Sequence, residues 1–346
     1  MKILSVGWFQ KKSSTSLHRH NALVKHAGYI DAVELAISDS SLHFRVAYQL
    51  FLRGIPIKLP DLTGANEKIK KLVIKNSYDI VWIDKGISIN KSTLQFIKQV
   101  LPKAKIVSFS PDNMALRHNQ SQNYLECMPY YDFNFTTKSY ILEELRKMGA
   151  RNVHFMRKTY SEDFHYPRIL TETEKIRLGE DVGFVGAWEN ERCNSILYLV
   201  KNGIKVKVFG DGKWNEFKNT HPNLTIMPGI FSEDYPKALG AFKISLCFLR
   251  KMNFDQQTAR TMEIPACGGF MLAERTQEHL DLFKEGEEAA FFSSNEELLK
   301  MCQYYLKNEH ERKQIAQAGL NRCISSGYSN KQTIKQMLDI VISENA

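Results

Sequence analysis

The chain has 346 residues, 43% of them hydrophobic and 25% charged, with a net charge of +9. That is enough chain for two ordinary domains, and the composition is that of a globular protein whose core needs no covalent staples. Six scattered cysteines without CxxC spacing argue against a disulfide framework or a zinc site, and no run approaches the ~18 apolar residues of a membrane span. The basic residues are dispersed, which excludes the stripe that grips nucleic acid, although the positive balance permits smaller anionic partners.

In chain order, short apolar runs alternate with segments of helical spacing. Residues 2–6 predict a first strand that ends at Gly7, and 16–26 a helix that stops at Gly28. Strands follow at 79–83, 105–109, 132–135 and 153–156, with helices at 91–100 and 139–147. Strands of four to six apolar residues alternating with helices imply a parallel, doubly wound sheet. The stretch 157–180, polar and broken by Pro167, predicts an interdomain connection. The alternation then restarts, with strands at 181–185, 205–209, 224–227, 243–247 and 270–272 and helices at 194–201, 235–241 and 258–265. Beyond residue 295 the chain is nearly all helical, with Gly319 and Gly327 as stops. The expected domains are a Rossmann-like unit at 1–160, a second at 161–328, and a C-terminal helix at 329–346 that packs back on the first.

The segment richest in chemistry runs from Asn253 to Glu274. A loop carrying Asp255 leads into a helix that carries Glu263 and ends at Pro265 and Gly268-Gly269. A carboxylate at the junction can accept from one sugar hydroxyl, and one two turns on can accept a pair from a ribose. Thr258 and Ala259 would offer backbone N–H groups to a diphosphate, backed by the helix dipole. On spacing alone, Asp255 serves equally as a helix cap and Glu263 as a solvated face residue.

Arg260-Thr-Met-Glu-Ile-Pro-Ala-Cys-Gly-Gly-Phe-Met-Leu-Ala-Glu274 resembles the donor-site motif of the spore-maturation-protein (CgeB-like) glycosyltransferases, relatives of the group-1 retaining enzymes. Gly183-Phe-Val-Gly-Ala-Trp-Glu-Asn-Glu-Arg192 is similar to that family's first C-terminal strand and loop. The resemblance implies a GT-B fold, two Rossmann-like domains facing across a cleft, with acceptor on the first and nucleotide-sugar on the second. It implies that Glu263 binds the ribose, Asp255 stands where a glutamate commonly meets the donor sugar, and Arg192 and Gly186 lie near the diphosphate. Arg250 and Lys251 are a second cationic pair, placed just after a strand.

Cleaving a nucleoside diphosphate from a sugar puts negative charge on the leaving phosphate, which fixed cations stabilise. No DxD motif is present to hold a metal, so no metal or other cofactor is expected. In the first half, Gly7 and Trp8 follow the first strand on the side where donor phosphates and acceptor would lie, and Trp8 serves equally as core or as platform. Asp112, in Ser110-Pro-Asp-Asn113, is the expected acceptor-side contact, with His118 beyond it and Arg19 in a helix start upstream. The segment 42–54 is amphipathic, aromatic and basic; it reads first as a packing helix, with an anionic membrane surface as the alternative.

The expected function is a cytoplasmic, retaining hexosyltransferase of cell-surface polysaccharide type, with a glycan, lipid-linked or protein acceptor and a peripheral contact to the inner membrane face as an adjunct. The alternatives are a nucleotide-sugar epimerase of the same fold and a non-catalytic nucleotide-sugar-binding protein.

Overall fold

The structure, a computed structural model, describes residues 1–37 and 41–343. Residues 344–346, the end of the segment expected to form the C-terminal helix, lie outside the described residues. Two compact units emerge: Met1–Arg157 with Lys331–Ala346, and Lys158–Asn330.

The first unit contains β1 (Lys2–Gly7), β2 (Tyr29–Glu34), β3 (Ile80–Asp84), β4 (Lys105–Ser110), β5 (Phe133–Thr136) and β6 (Val153–Phe155). Its helices are α1 (Thr15–Val24), α2 (Leu42–Leu52), α3 (Ala65–Lys75), α4 (Lys91–Val100), α5 (Gln122–Cys127) and α6 (Leu142–Lys147). All pairings are parallel, in the order β2-β1-β3-β4-β5-β6. The direction of winding reverses between β1 and β3, the position where doubly wound sheets bind ligands at their carboxyl ends.

The second unit contains β7 (Val182–Val185), β8 (Val206–Phe209), β9 (Leu224–Met227), β10 (Ile244–Cys247), β11 (Met271–Glu274) and β12 (Ala290–Phe292). Its helices are α7 (Glu172–Leu178), α8 (Asn190–Lys201), α9 (Asp234–Ala241), α10 (Ala259–Ala266), α11 (Gln277–Leu282), α12 (Asn295–Lys307) and α13 (Glu309–Ser325). This sheet is also parallel, ordered β12-β11-β10-β7-β8-β9, with its reversal between β7 and β10. A final helix, α14 (Asn330–Ser343), belongs from Lys331 onward to the first unit.

The central strands fold as predicted because both their faces are covered. Ile80, Val81, Trp82 and Ile83 of β3, and the whole of β7, are buried. On one face of the first sheet, Ile3, Trp82, Val107 and Phe135 pack with Leu23 of α1 and with Ile334, Met337, Leu338 and Val341 of α14. Each unit thus closes its own core.

Two readings need correction. The stretch 157–180 is not a bare connection: Thr171 and Glu174 form a reciprocal capping box that starts α7. Gly319 does not stop a helix but sits inside α13. A Cβ there would stand 2.5 Å from the Glu288 carbonyl oxygen, so this glycine lets α13 approach the neighbouring backbone closely. Gly327, by contrast, follows the end of α13 with φ +70°.

Candidate functional site

Several charged residues of the second unit lie at the carboxyl ends of β7, β10 and β11. Pairing between β7 and β10 runs through Ile244–Val182 and Ser245–Gly183 and stops short of both strand ends. Beyond it, the Arg192 guanidinium on α8 bridges the two loops, donating to the carbonyls of Ala187 at 3.1 Å and Leu249 at 3.0 Å. Burial lowers the Arg192 pKa, an effect opposed by Glu189 and reinforced by Arg260 and Arg250. Arg192 therefore acts mainly as a clip across the winding reversal.

The more exposed cations are its neighbours. Arg250 is half-exposed and lies 3.3 Å from Glu189, while Lys251 pairs with Glu274. Glu274 also accepts from the Leu249 N–H at 2.8 Å, which fixes the β10 loop to the end of β11. Arg260 on α10 donates to the Val185 carbonyl at 2.5 Å. Gly186 is needed here, because a Cβ would stand 2.7 Å from the Phe184 ring and 3.2 Å from the Arg260 guanidinium. The result is a cluster in which Glu189 meets Arg192 and Arg250, Glu274 meets Lys251, and the Arg260 charge lies near Arg192.

Glu263 is 4% exposed, so it is not a solvated face residue. The Tyr235 hydroxyl on α9 donates to its Oε2. Burial first, then the Glu263 charge, raises the Tyr235 pKa well above its ordinary value, so the phenol keeps its proton. On the other side, His165 Nε2 approaches Oε1 at 3.5 Å. Although the pair has the spacing of an ion pair, burial and then the Arg168 charge push the His165 pKa down to about 3, so the ring is neutral. The Ser161 N–H donates to Nδ1 at 3.0 Å, which leaves the ring's one hydrogen on Nε2, toward the carboxylate. A carboxylate has about four acceptor positions, and these two neighbours leave room for hydroxyl donors.

The start of α10 is locked by a relay. The Thr258 N–H donates to Thr261 Oγ1 at 3.0 Å, and Thr261 donates in turn to His279 Nε2 at 2.9 Å. His279 Nδ1 donates to the Glu274 carbonyl at 2.6 Å, which fixes the tautomer, and burial lowers its pKa to about 4. The Thr258 amide is thus already engaged. Ala259 opens the helix, and Asp255 lies half-buried in the loop before it, its N–H donating to the Arg250 carbonyl at 3.3 Å.

In the first unit, Gly7 ends β1 against Ser16, whose Oγ would stand 2.5 Å from a Cβ there. The turn is pinned: the Trp8 N–H donates to Ser16 Oγ at 3.1 Å, Ser14 Oγ donates to the Trp8 carbonyl at 2.7 Å, and the Phe9 N–H donates to the Glu34 carboxylate. Trp8 is 39% exposed, the most open of the four tryptophans. At the winding reversal, Arg19 of α1 forms a buried two-point ion pair with Asp84 at the end of β3, at 2.5 and 3.0 Å. Asp112 follows β4 and pairs with Lys85 at 2.5 Å. His118 lies in the 3-10 turn Arg117–Asn119, its Nε2 buried without a hydrogen-bond partner.

The fold therefore joins Gly186, Arg192, Arg250 and Lys251 in one cluster and reaches Glu263 through Arg260 on the same helix. Gly7, Asp112 and His118 lie in the other unit. Sequence reasoning missed Tyr235, His165, Arg260, Glu189 and Glu274. Arg260 and Glu274 bounded one quoted motif and Glu189 lay inside the other, but nothing local marked Tyr235 or His165.

Residues 192–339 match a family model described as Glycosyl transferase-like. No curated protein matches the chain. Among solved structures, Anabaena HepE in complex with UDP and glucose is 12% identical, with a TM-score of 0.67 over 99% of this chain and 100% of that one. The sucrose-phosphate synthase of Thermosynechococcus elongatus is 11% identical, with a TM-score of 0.68 over 99% and 98%. A UDP-N-acetylglucosamine 2-epimerase, putative in its description, from Listeria monocytogenes is 11% identical, with a TM-score of 0.60 over 99% and 96%. The fold is that of GT-B glycosyltransferase structures.

Proposed function

We propose that the chain is a glycosyltransferase that uses a nucleotide-sugar, with the donor held by the second unit. The observation that carries this reading is the buried Glu263 carboxylate, oriented by Tyr235 and His165 and one turn along α10 from the cation cluster. A ribose donates its two hydroxyls to that carboxylate, and the diphosphate meets Arg250, Lys251 and Arg260, with the Ala259 end of α10 behind them. The match of residues 192–339 to the Glycosyl transferase-like family supports it.

In transfer, the bond from the anomeric carbon to the diphosphate breaks and the nucleoside diphosphate leaves with the electron pair. The acceptor hydroxyl oxygen forms the new bond, and the leaving phosphate takes its proton, with retention at the anomeric carbon. Arg250, Lys251 and Arg260 meet the charge that develops on the leaving phosphate, the role that a metal would otherwise fill. The first unit takes the acceptor, a glycan, lipid-linked or protein hydroxyl, with Asp112 and His118 as its polar contacts and Trp8 as a platform. Asp255 contacts the donor sugar. The setting is cytoplasmic.

UDP-sugars are the first donors to test, since HepE carries UDP in its complex. Glu263→Ala should weaken UDP binding about tenfold or more, roughly 1.4 kcal/mol, as measured by calorimetry. Unchanged affinity in a folded variant sinks the site. The epimerase reading has a specific observation behind it, the likeness to the Listeria protein. Incubating donor alone separates the two, because an epimerase converts it without an acceptor.

A further inference from the structure

The segment from Ser41 to Pro60 has no part in the donor site. Ser41 caps α2, its Oγ accepting from the Phe44 N–H at 3.2 Å. The helix buries Ala47 and Phe51, and Phe44 and Tyr48 stack at 5.6 Å. This is the packing face. On a 3.6-residue period, Leu42, Arg45, Val46, Gln49, Leu52 and Arg53 share the opposite arc, and all six are exposed. Leu42 is 73% exposed, Val46 52%, Leu52 45%, and Ile55, just past the helix, 44%. A single exposed leucine needs no explanation, but an apolar stripe interleaved with arginines does.

Charge narrows the choice of partner. The segment 41–60 carries His43, Arg45, Arg53 and Lys58 and no Asp or Glu. Lys58 is answered by Glu126 at 2.8 Å, which leaves Arg45 and Arg53 as the outward cations. A second copy of the same face would set those arginines against one another. Nucleic acid would satisfy them and leave the leucines in water. A surface that accepts both is the boundary of an anionic bilayer, with phosphates outside and acyl chains beneath.

We propose that α2 and the turn after it dock on an anionic lipid surface. Leu42, Val46, Leu52 and Ile55 enter the acyl boundary, and Arg45 and Arg53 meet the headgroup phosphates. This does not rest on the donor reading, and none of these residues belongs to the proposed machinery. The C-terminal end of α2 packs on the turn that holds His118: a Cβ on Gly54 would stand 3.1 Å from the Arg117 Cβ.

The test is co-sedimentation of the full chain with vesicles of phosphatidylcholine alone and of phosphatidylcholine mixed with phosphatidylglycerol. Binding is expected only to the mixed vesicles and should fall steeply with added salt. Arg45→Glu with Arg53→Glu, and separately Leu42→Ser with Val46→Ser, should each lower partitioning by about tenfold or more, with melting temperature unchanged. No binding of the unaltered protein to anionic vesicles at low salt overturns the proposal, as does binding that both pairs of substitutions leave intact. A concentration-dependent dimer that the same substitutions dissolve assigns the face to a second copy and also overturns it. Should a variant fail to fold, the salt titration of the unaltered protein decides: salt-insensitive binding is the overturning result.

Discussion

His165 and Tyr235 hold Glu263 from opposite sides, and each does so by staying uncharged. A protonated His165 would be buried beside the Arg168 charge, which is why its pKa is pushed down to about 3, while that of His279 falls to about 4. In the unfolded chain both rings return to about 6.5. Between these values the unfolded state holds the extra protons, so stability rises with pH, is complete above about 6.5, and drains away on acidification. At pH 5 each ring costs about 2 kcal/mol. Melting temperature should therefore drop between pH 7 and pH 5, and His165→Gln should flatten that drop; a slope as steep as before would remove His165 from the account. None of this was legible beforehand. The motif pointed to Glu263, but its partners come from a stretch read as connection and from a helix start, and only tertiary folding brings them together. The solvated alternative for Glu263 failed for the same reason, since helical spacing does not say what covers a face.

At the scale of elements, the central strands were legible because a strand covered on both faces must be a continuous apolar run. Of the four edge strands, β6 and β9 were legible and β2 and β12 were not. β2, Tyr-Ile-Asp-Ala-Val-Glu, is largely open to solvent, and β12 is three residues long, so neither leaves a run to recognise. Gly319 is the instructive miss. A glycine in a helical run signals either a stop or a close approach, and only the neighbouring backbone decides which. Here α13 lies against the Glu288 carbonyl and Pro265 of α10. Gly319→Val should cost about 1–3 kcal/mol through overpacking, seen as a lower denaturant midpoint. A midpoint equal to that of the parent chain would mean that the approach has slack. Because α13 braces the helix that carries Glu263, nucleotide affinity should fall in the same variant.

Over the whole molecule, identities of 11–12% across 98–99% or more of both chains mean that this architecture survives nearly complete replacement of its sequence. What must be kept is the winding order and the burial pattern. α14 illustrates the second requirement. Ile334, Met337, Leu338 and Val341 all join the core of the first unit. At about 1.5–3 kcal/mol for each buried side chain, removing them forfeits roughly 6–12 kcal/mol, as much as an entire domain's net stability. A chain ending at Asn330 should therefore lose the cooperative melt of its first unit while residues 158–330 keep theirs. A truncated protein with both transitions intact would show that α14 is dispensable. The same helix fixes an order of events during synthesis. The first 157 residues leave the ribosome before the second unit, yet their apolar sheet face waits for a helix that is translated after it. The second unit, contiguous in the chain, is complete before then, so the unit that starts earlier is finished later. In the interval, Trp82, Val107 and Phe135 stand uncovered by α14, and a chaperone that binds apolar sheet surface has its longest opportunity there.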